Sequence, residues 1–82
     1  MNSEQIQKAI KAVIASETKL FSMTEGKQKM LGKVVKTDEQ SFQLETPIYF
    51  IINEEGKEDQ KKIPGYPIYH WHNITNFKRV EQ

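Results

Sequence analysis

The sequence predicts a small, mainly β domain with one N-terminal α-helix, and three observations lead to that prediction. Apolar residues recur at helical spacing in one segment near the N-terminus, between Ile6 and Ile14. The later segments carry alternating or continuous apolar residues, which are the two patterns that strands produce. The chain has 82 residues, of which 37% are hydrophobic, so it can form one core and one domain, placed at residues 1–82.

The helix is expected over about residues 3–15. Asn2 or Ser3 can cap its first turn, and Lys8 and Lys11 fall on its polar side. Its apolar face consists of Ile6, Ala9, Ile10, Val13 and Ile14. About four turns of amphipathic helix are marginal alone in water, so this face should cover one face or end of a sheet.

The clearest strand signal is a hairpin between Met30 and Leu44. A β-branched run precedes the turn-forming residues 38–41, and Phe42 and Leu44 then alternate with polar residues. Gly32, in the first of these strands, indicates a bulge, a bend, a close backbone approach or a merely tolerated glycine. A preceding strand over residues 18–24 should enter this hairpin through a turn at residues 25–27.

The second half of the chain completes the predicted sheet. Pro47 interrupts it before Ile48–Ile52, an apolar run expected to be buried on both faces or to form an edge that a neighbour covers. Residues 53–62 carry no apolar side chain and should form the exposed tip of a long hairpin. A strand from residue 68, a turn near His72 and Asn73 and a last strand should follow.

Five short strands and one helix fit a five-stranded SH3-like or Sm-like barrel over about residues 18–80. A sandwich would need more strands, and a ferredoxin-like fold would need a second helix. The absence of cysteine excludes disulfides and thiolate zinc sites and suits a reducing compartment. No apolar run reaches membrane-spanning length and no leader pattern is found, so a soluble, cytoplasmic protein is expected.

The charge is unevenly distributed along the chain, and the sequence lacks catalytic motifs. The net charge is +1, but the first 37 residues hold seven lysines against three glutamates, a pattern typical of a nucleic-acid-binding half or of an ordinary solvated face. Neither a nucleophile motif nor a phosphate-binding loop is present, so we do not expect the protein to be an enzyme or to need a cofactor. His70 and His72 are suitably spaced to chelate a metal, but a zinc site would lack two ligands, so no metal site is expected.

Aromatic and imidazole side chains cluster between Tyr66 and His72. Such groups on a barrel rim can stack unpaired bases, while basic side chains nearby neutralise phosphates. Two other interpretations stay open, because Trp71 can belong to the core and Tyr69 can pair across strands. The candidate nucleic-acid-binding residues are His72, Asn73, Trp71, Lys8, Lys11, Lys78 and Arg79.

The pattern resembles the Hfq branch of the Sm-like proteins. The family combines an N-terminal helix, a bent five-stranded barrel, a glycine in the second strand and an aspartate at the turn after it, positions that Gly32 and Asp38 match here. Residues 70–77 overlay the family's late Tyr-Lys-His-Ala-Ile-Ser-Thr-Ile stretch without a gap. Trp71 stands where the family has its lysine, so the resemblance implies an RNA-contacting role for His72 alone.

Two hypotheses about function follow. The resemblance implies an RNA-binding ring that presents basic and aromatic groups to single-stranded RNA, and the apolar run Ile48–Ile52 is expected to drive self-association through edge strands. Lys8 and Lys11 would then support a face that contains His72 and Asn73. The alternative is an SH3-like interaction or regulatory module that binds another protein and no nucleic acid, which the near-neutral charge favours.

Overall fold

The computed structural model describes residues 1–80 and shows, within them, one α-helix followed by six antiparallel strands. The elements are α1 (Ser3–Ala15), β1 (Leu20–Glu25), β2 (Gln28–Thr37), β3 (Ser41–Ile52), β4 (Glu58–Lys62), β5 (Ile68–His70), a 3₁₀ turn (Trp71–Asn73) and β6 (Ile74–Arg79). The predicted domain extends to residue 82, and residues 81–82 lie outside the described part. No helix among residues 1–80 is long and apolar enough to cross a membrane.

The strands form one sheet in the order β4-β3-β2-β1-β6, and β5 pairs with the first part of β3. The long strand β3 is therefore paired with β2 along one side and with β4 and β5 along the other. Within residues 1–80 the pairing follows an open path from β4 to β6. The predicted mainly β class with one N-terminal helix is confirmed.

The helix has the predicted bounds because local interactions stabilise both of its ends. Asn2 Oδ1 accepts a hydrogen bond from the Gln5 backbone N–H, and Gln5 Oε1 accepts one from the Asn2 N–H, each at 2.9 Å. At the other end the Lys19 ammonium donates to the Val13 carbonyl at 2.6 Å. Ala9 and Val13 are buried in the core as expected, whereas Ile14, which was assigned to the same apolar face, is 71% exposed.

The core lies between α1 and one face of the sheet. Its buried hydrophobic residues are Ala9, Val13, Phe21, Met23, Met30, Val34, Phe42, Leu44, Tyr69, Trp71 and Ile74. The Trp71 indole packs on Phe42 with ring centroids 4.3 Å apart, and its Nε1–H donates to the Asp38 carbonyl at 2.8 Å. The hydroxyls of Tyr49 and Tyr69 hydrogen-bond at 2.7 Å, and burial raises the pKa of Tyr69. Both interpretations left open are confirmed, since Trp71 belongs to the core and Tyr69, itself buried, pairs with Phe42 across β3 and β5.

Strand β2 approaches β3 closely at Gly32. A Cβ at Gly32 would lie 2.9 Å from Leu44 Cδ1 and 3.2 Å from Pro47 Cβ, closer than carbon atoms normally approach. The β2–β3 register shifts at this point, and Thr46 has a φ of 36°, as expected for a bulge. Of the alternatives predicted for Gly32, the close approach is confirmed, whereas the extra residue of the bulge belongs to β3, opposite Gly32.

The second half of the sheet differs from the prediction. Pro47 does not end a strand, because the bulge accommodates it within β3. The run Ile48–Ile52 is not buried on both faces, since Ile51 and Ile52 are 40% and 66% exposed. It is not an edge of the sheet either, because it pairs with β2 on one side and with β4 on the other. The predicted loop over residues 53–62 contains β4, so the structure has six strands where five were predicted. Strand β4 has no apolar side chain and forms through its pairing with β3.

Candidate nucleic-acid interface

The predicted site residues do not share one surface, and Trp71 needs correction first. Its side chain is 0% exposed, enclosed by Phe42 and Phe77, so neither face of the indole is open to a base. The predicted role of Trp71 as a base-stacking residue does not fit this position, because stacking requires an accessible ring face. In this chain the large indole ring of Trp71 fills the core.

His72 and Asn73 are exposed in the 3₁₀ turn, beside the beginning of the chain. The N-terminal ammonium of Met1 donates to the His72 carbonyl at 3.3 Å, and the Gly26 N–H donates to the Asn73 carbonyl at 3.2 Å. The His70 and His72 rings lie 5.6 Å apart, although His72 belongs to the 3₁₀ turn and not to the strand that ends at His70. Residues 1–80 hold no group of three His, Cys, Asp or Glu side chains placed to bind a metal.

The predicted basic residues fall on two sides of the sheet. Lys8 and Lys11 are exposed on α1, which covers the face of the sheet that carries the core. Lys8 Nζ lies 3.8 Å from Glu4 Oε1 of the same helix. Lys78 lies on the opposite face, which we name the outer face. Arg79 is the next residue of β6 and is also exposed. The predicted lysines of the helix and of β6 therefore do not contribute to one surface.

An open groove of about 360 Å³ lies on the outer face. Its lining includes Ser22, Thr24, Lys29, Phe50, Asn76 and Lys78. Five strands contribute, since β1, β2, β3 and β6 supply these residues and β4 supplies Glu58. The groove combines one aromatic ring, two ammonium groups and several short polar side chains.

Strand alternation places these side chains together. In β1, Phe21 and Met23 point into the core, so Ser22 and Thr24 point to the outer face. Residues paired across strands lie on the same face of a sheet. Thr24 pairs with Lys29, and Lys29 with Phe50, which makes these three residues one row across β1, β2 and β3.

A bulge in β6 sets the other end of the groove. Lys78 pairs with Ser22, and Thr75 pairs with Thr24, so β6 contributes one residue more than β1 between these two pairs. Asn76 lies in this bulge and has a φ of 54°, a conformation that asparagine tolerates better than most residues. The bulge brings both Asn76 and Lys78 to the groove.

The charge of the groove is mainly positive. Lys29 and Lys78 carry ammonium groups, and Glu58 of β4 adds one carboxylate to the lining. From β3 to β6 the groove crosses three strand spacings, or about 14 Å, which is room for a short stretch of single strand. Phe50 can stack a base and the lysines can neutralise phosphates, the combination by which single-stranded nucleic acid is held without sequence specificity.

The sequence-based prediction missed Phe50 and Lys29. Phe50 was assigned to a continuous apolar run, a pattern typical of a strand buried on both faces. The opposing strand β4 is entirely polar and exposed, and pairing with such a strand leaves the outer face of β3 open. The polar hairpin partner was the signal that could have identified Phe50 as a surface residue.

No protein-family model, curated protein or solved structure matches this chain. The resemblance to the Hfq branch of the Sm-like proteins therefore stays a prediction.

Proposed function

We propose that this chain is a non-enzymatic domain that binds single-stranded RNA on the outer face of its sheet. The observation that carries the proposal is the groove, in which Phe50 lies in one row with Lys29 and Lys78 forms the far end. An aromatic ring flanked by basic side chains supplies both stacking and phosphate neutralisation. Short polar side chains between them, such as Ser22 and Thr24, can hydrogen-bond to sugars or bases.

We also propose that the fold is a Sm-like barrel, with post-transcriptional regulation in the cytoplasm as its setting. Strands β4 and β5 both pair with β3 and are separated by the proline-containing residues 63–67, so they can be counted as one interrupted strand. This count gives the five strands of the family. Gly32 in β2, opposite the bulge of β3, and Asp38 at the next turn support the same assignment.

The ring assembly stays a prediction, and its original basis no longer holds. Self-association was expected because Ile48–Ile52 would be an apolar edge, but β4 pairs with that segment along its whole length. The ends of the pairing path in the described chain are β4 and β6. An assembly through edge strands would therefore use these two strands.

Exposed apolar side chains favour the second candidate function, a protein-interaction module. Ile52, Tyr66 and Ile68 are each more than half exposed, at 66%, 58% and 62%. Isolated apolar side chains on a surface are common, so they carry less weight than the groove. Salt separates the two functions, because phosphate contacts weaken steeply with salt and an apolar protein contact does not.

Binding of a fluorescent oligouridine at low salt tests the proposed function, with Phe50→Ala as the decisive variant. Loss of one stacked base is worth about 1–3 kcal/mol, so the variant should bind roughly tenfold more weakly or worse. Ile51→Ala is a matched control, because Ile51 is the next residue of β3 and points to the other face. Its affinity should equal that of the native chain.

Failure of the native chain to bind either an oligouridine or a mixed-sequence RNA at low salt would reject the proposal. Equal effects of Phe50→Ala and Ile51→Ala would reject the groove as the binding site. Circular dichroism of both variants shows whether each one is folded before its affinity is compared.

A further inference from the structure

Strand β4 ends the sheet with an open edge. It pairs with β3 on one side only, and within residues 1–80 no other strand pairs with it. All five of its residues, Glu58 to Lys62, are exposed. An edge of this kind offers unpaired N–H and C=O groups to another strand.

The hydrogen bonds at both ends of β4 show which backbone groups face outward. The Asn53 N–H donates to the Lys57 carbonyl and the Ile63 N–H to the Pro47 carbonyl, each at 2.8 Å. Residues 57 and 63 thus face β3, and by alternation residues 59 and 61 do so as well. The N–H and C=O groups of residues 58, 60 and 62 therefore point away from the sheet.

The side chains of β4 form a charge-symmetric series. The order is Glu58, Asp59, Gln60, Lys61, Lys62, with two negative residues, one neutral residue and two positive residues. Reversing the direction of this strand exchanges the two signs. An antiparallel copy centred on Gln60 therefore meets the opposite charge at every charged position.

We propose that β4 pairs antiparallel with β4 of a second copy of this chain, about a two-fold axis at Gln60. Glu58 of each copy faces Lys62 of the other, Asp59 faces Lys61, and the two Gln60 residues face each other. The outward groups of residues 58, 60 and 62 then form the backbone hydrogen bonds between the copies. The two sheets become one continuous sheet, as expected for an isologous two-fold contact.

Other registers of the same pairing are less favourable. An axis through any residue of β4 brings outward-facing backbone groups opposite each other, because hydrogen-bonded and non-hydrogen-bonded pairs alternate, so the other choices within β4 are its four charged residues. A centre at either acidic residue places two acidic side chains opposite each other, and a centre at either lysine places two lysines opposite each other. Like charges directly opposite each other destabilise a sheet, so the pairing centred on Gln60 is the preferred one.

Charged residues often protect a sheet edge from association, and β4 differs from such an edge in one respect. A run of lysines alone repels every copy of itself. In β4 each lysine has an acidic residue at the mirror position, so a shifted or parallel copy is repelled while the centred antiparallel copy is attracted. A contact of five residues per chain is small, so the dimer is expected to be weak and to exchange.

Mass in solution tests the proposal, measured by sedimentation from about 20 µM to about 1 mM, a range suited to small interfaces. The native chain, of 9.6 kDa, should approach twice that mass at the upper end. Lys61→Glu with Lys62→Glu, and separately Glu58→Lys with Asp59→Lys, should each stay monomeric, because each strand then carries one sign. An equimolar mixture of the two variants should dimerise, since every pair is again opposite in charge.

Two further variants separate this contact from effects of net charge or misfolding. The variant with all four reversals restores the symmetric series and should dimerise as the native chain does. Gln60→Pro keeps every charge but removes an outward N–H, and proline is tolerated at such edge positions, so this variant should be folded and monomeric. Lys8→Glu with Lys11→Glu changes net charge by the same amount on the helix and should remain dimeric.

Three results would overturn the proposal. They are a monomeric native chain at about 1 mM, dimers of either double reversal variant by itself, or a mixture of the two that stays monomeric. A native mass well above that of a dimer would indicate a ring or another assembly instead. None of these measurements includes RNA, so they are independent of the proposed function.

Discussion

Trp71 links the 3₁₀ turn between β5 and β6 to the turn between β2 and β3. The indole is fully buried and its Nε1–H donates to the Asp38 carbonyl at 2.8 Å across a sequence separation of 33 residues. Trp71→Phe should destabilise the fold by about 2–4 kcal/mol, because it leaves a cavity and removes the donor to a carbonyl. Chemical denaturation of the variant and of the native chain measures this difference.

His72→Ala is the control for Trp71→Phe, because His72 is the adjacent residue and is exposed. A substitution at such a position should change the free energy of unfolding by less than about 0.5 kcal/mol. Equal stability of the Trp71 and His72 variants would contradict the assignment of Trp71 to the centre of the core.

Asp38 makes the stability of the same turn depend on pH. Its Oδ1 accepts hydrogen bonds from the backbone N–H groups of Ser41 and Gln40, both at 2.8 Å, and these bonds hold the pKa of the carboxyl below its ordinary value of 3.8. The charged carboxylate thus stabilises the folded state above pH 3.8, and this contribution is lost as the pH falls through the lower folded-state pKa.

Asp38→Asn should abolish that part of the pH dependence. Asparagine keeps an oxygen acceptor for the turn but does not titrate, so the difference in melting temperature between native chain and variant should shrink as the pH falls below 3.8. Glu39→Gln removes the neighbouring carboxylate and leaves both hydrogen bonds to Asp38 in place. This control should retain the native profile, and a flat profile in the native chain would refute the prediction.

The close packing of β2 on β3 requires a residue without a side chain at Gly32. A methyl group there would lie 2.9 Å from Leu44 Cδ1 and 3.2 Å from Pro47 Cβ, so Gly32→Ala should cost about 1–3 kcal/mol of stability. Lys33→Ala, at the next and exposed position of β2, should be nearly neutral. Thermal unfolding of the two variants checks the prediction, and an unchanged melting temperature for Gly32→Ala would show that the two strands can separate slightly at no cost.

Elements differ in how far the sequence predicts them. The helix was predicted with its observed ends, because both the apolar spacing and the cap at Asn2 are local features. The β2–β3 hairpin was predicted for the same reason, since residues 38–41 contain their own turn chemistry. Strand β4 was missed, because its five polar residues contain no local strand signal. They form a strand only through their pairing with β3.

At the scale of the whole molecule, the two faces of the sheet carry different features. One face of the sheet is covered by α1 and holds the core, and the outer face carries the groove with Phe50, Lys29 and Lys78. The sequence identified Lys78 as a basic candidate but could not place Phe50 beside Lys29, because these residues meet only through the register of β2 and β3. The choice between core and surface for each aromatic residue likewise depends on the completed sheet.

The salt dependence of oligouridine binding tests the central claim most directly. Each phosphate contact with a single strand contributes roughly 0.7 to the slope of log affinity against log salt, so Lys29→Ala with Lys78→Ala should reduce the slope by about 1.4. Lys8→Ala with Lys11→Ala, on the helix side, should leave the slope unchanged. A slope that only the helix variant reduces, or a native chain whose binding does not change with salt, would contradict RNA binding on the outer face.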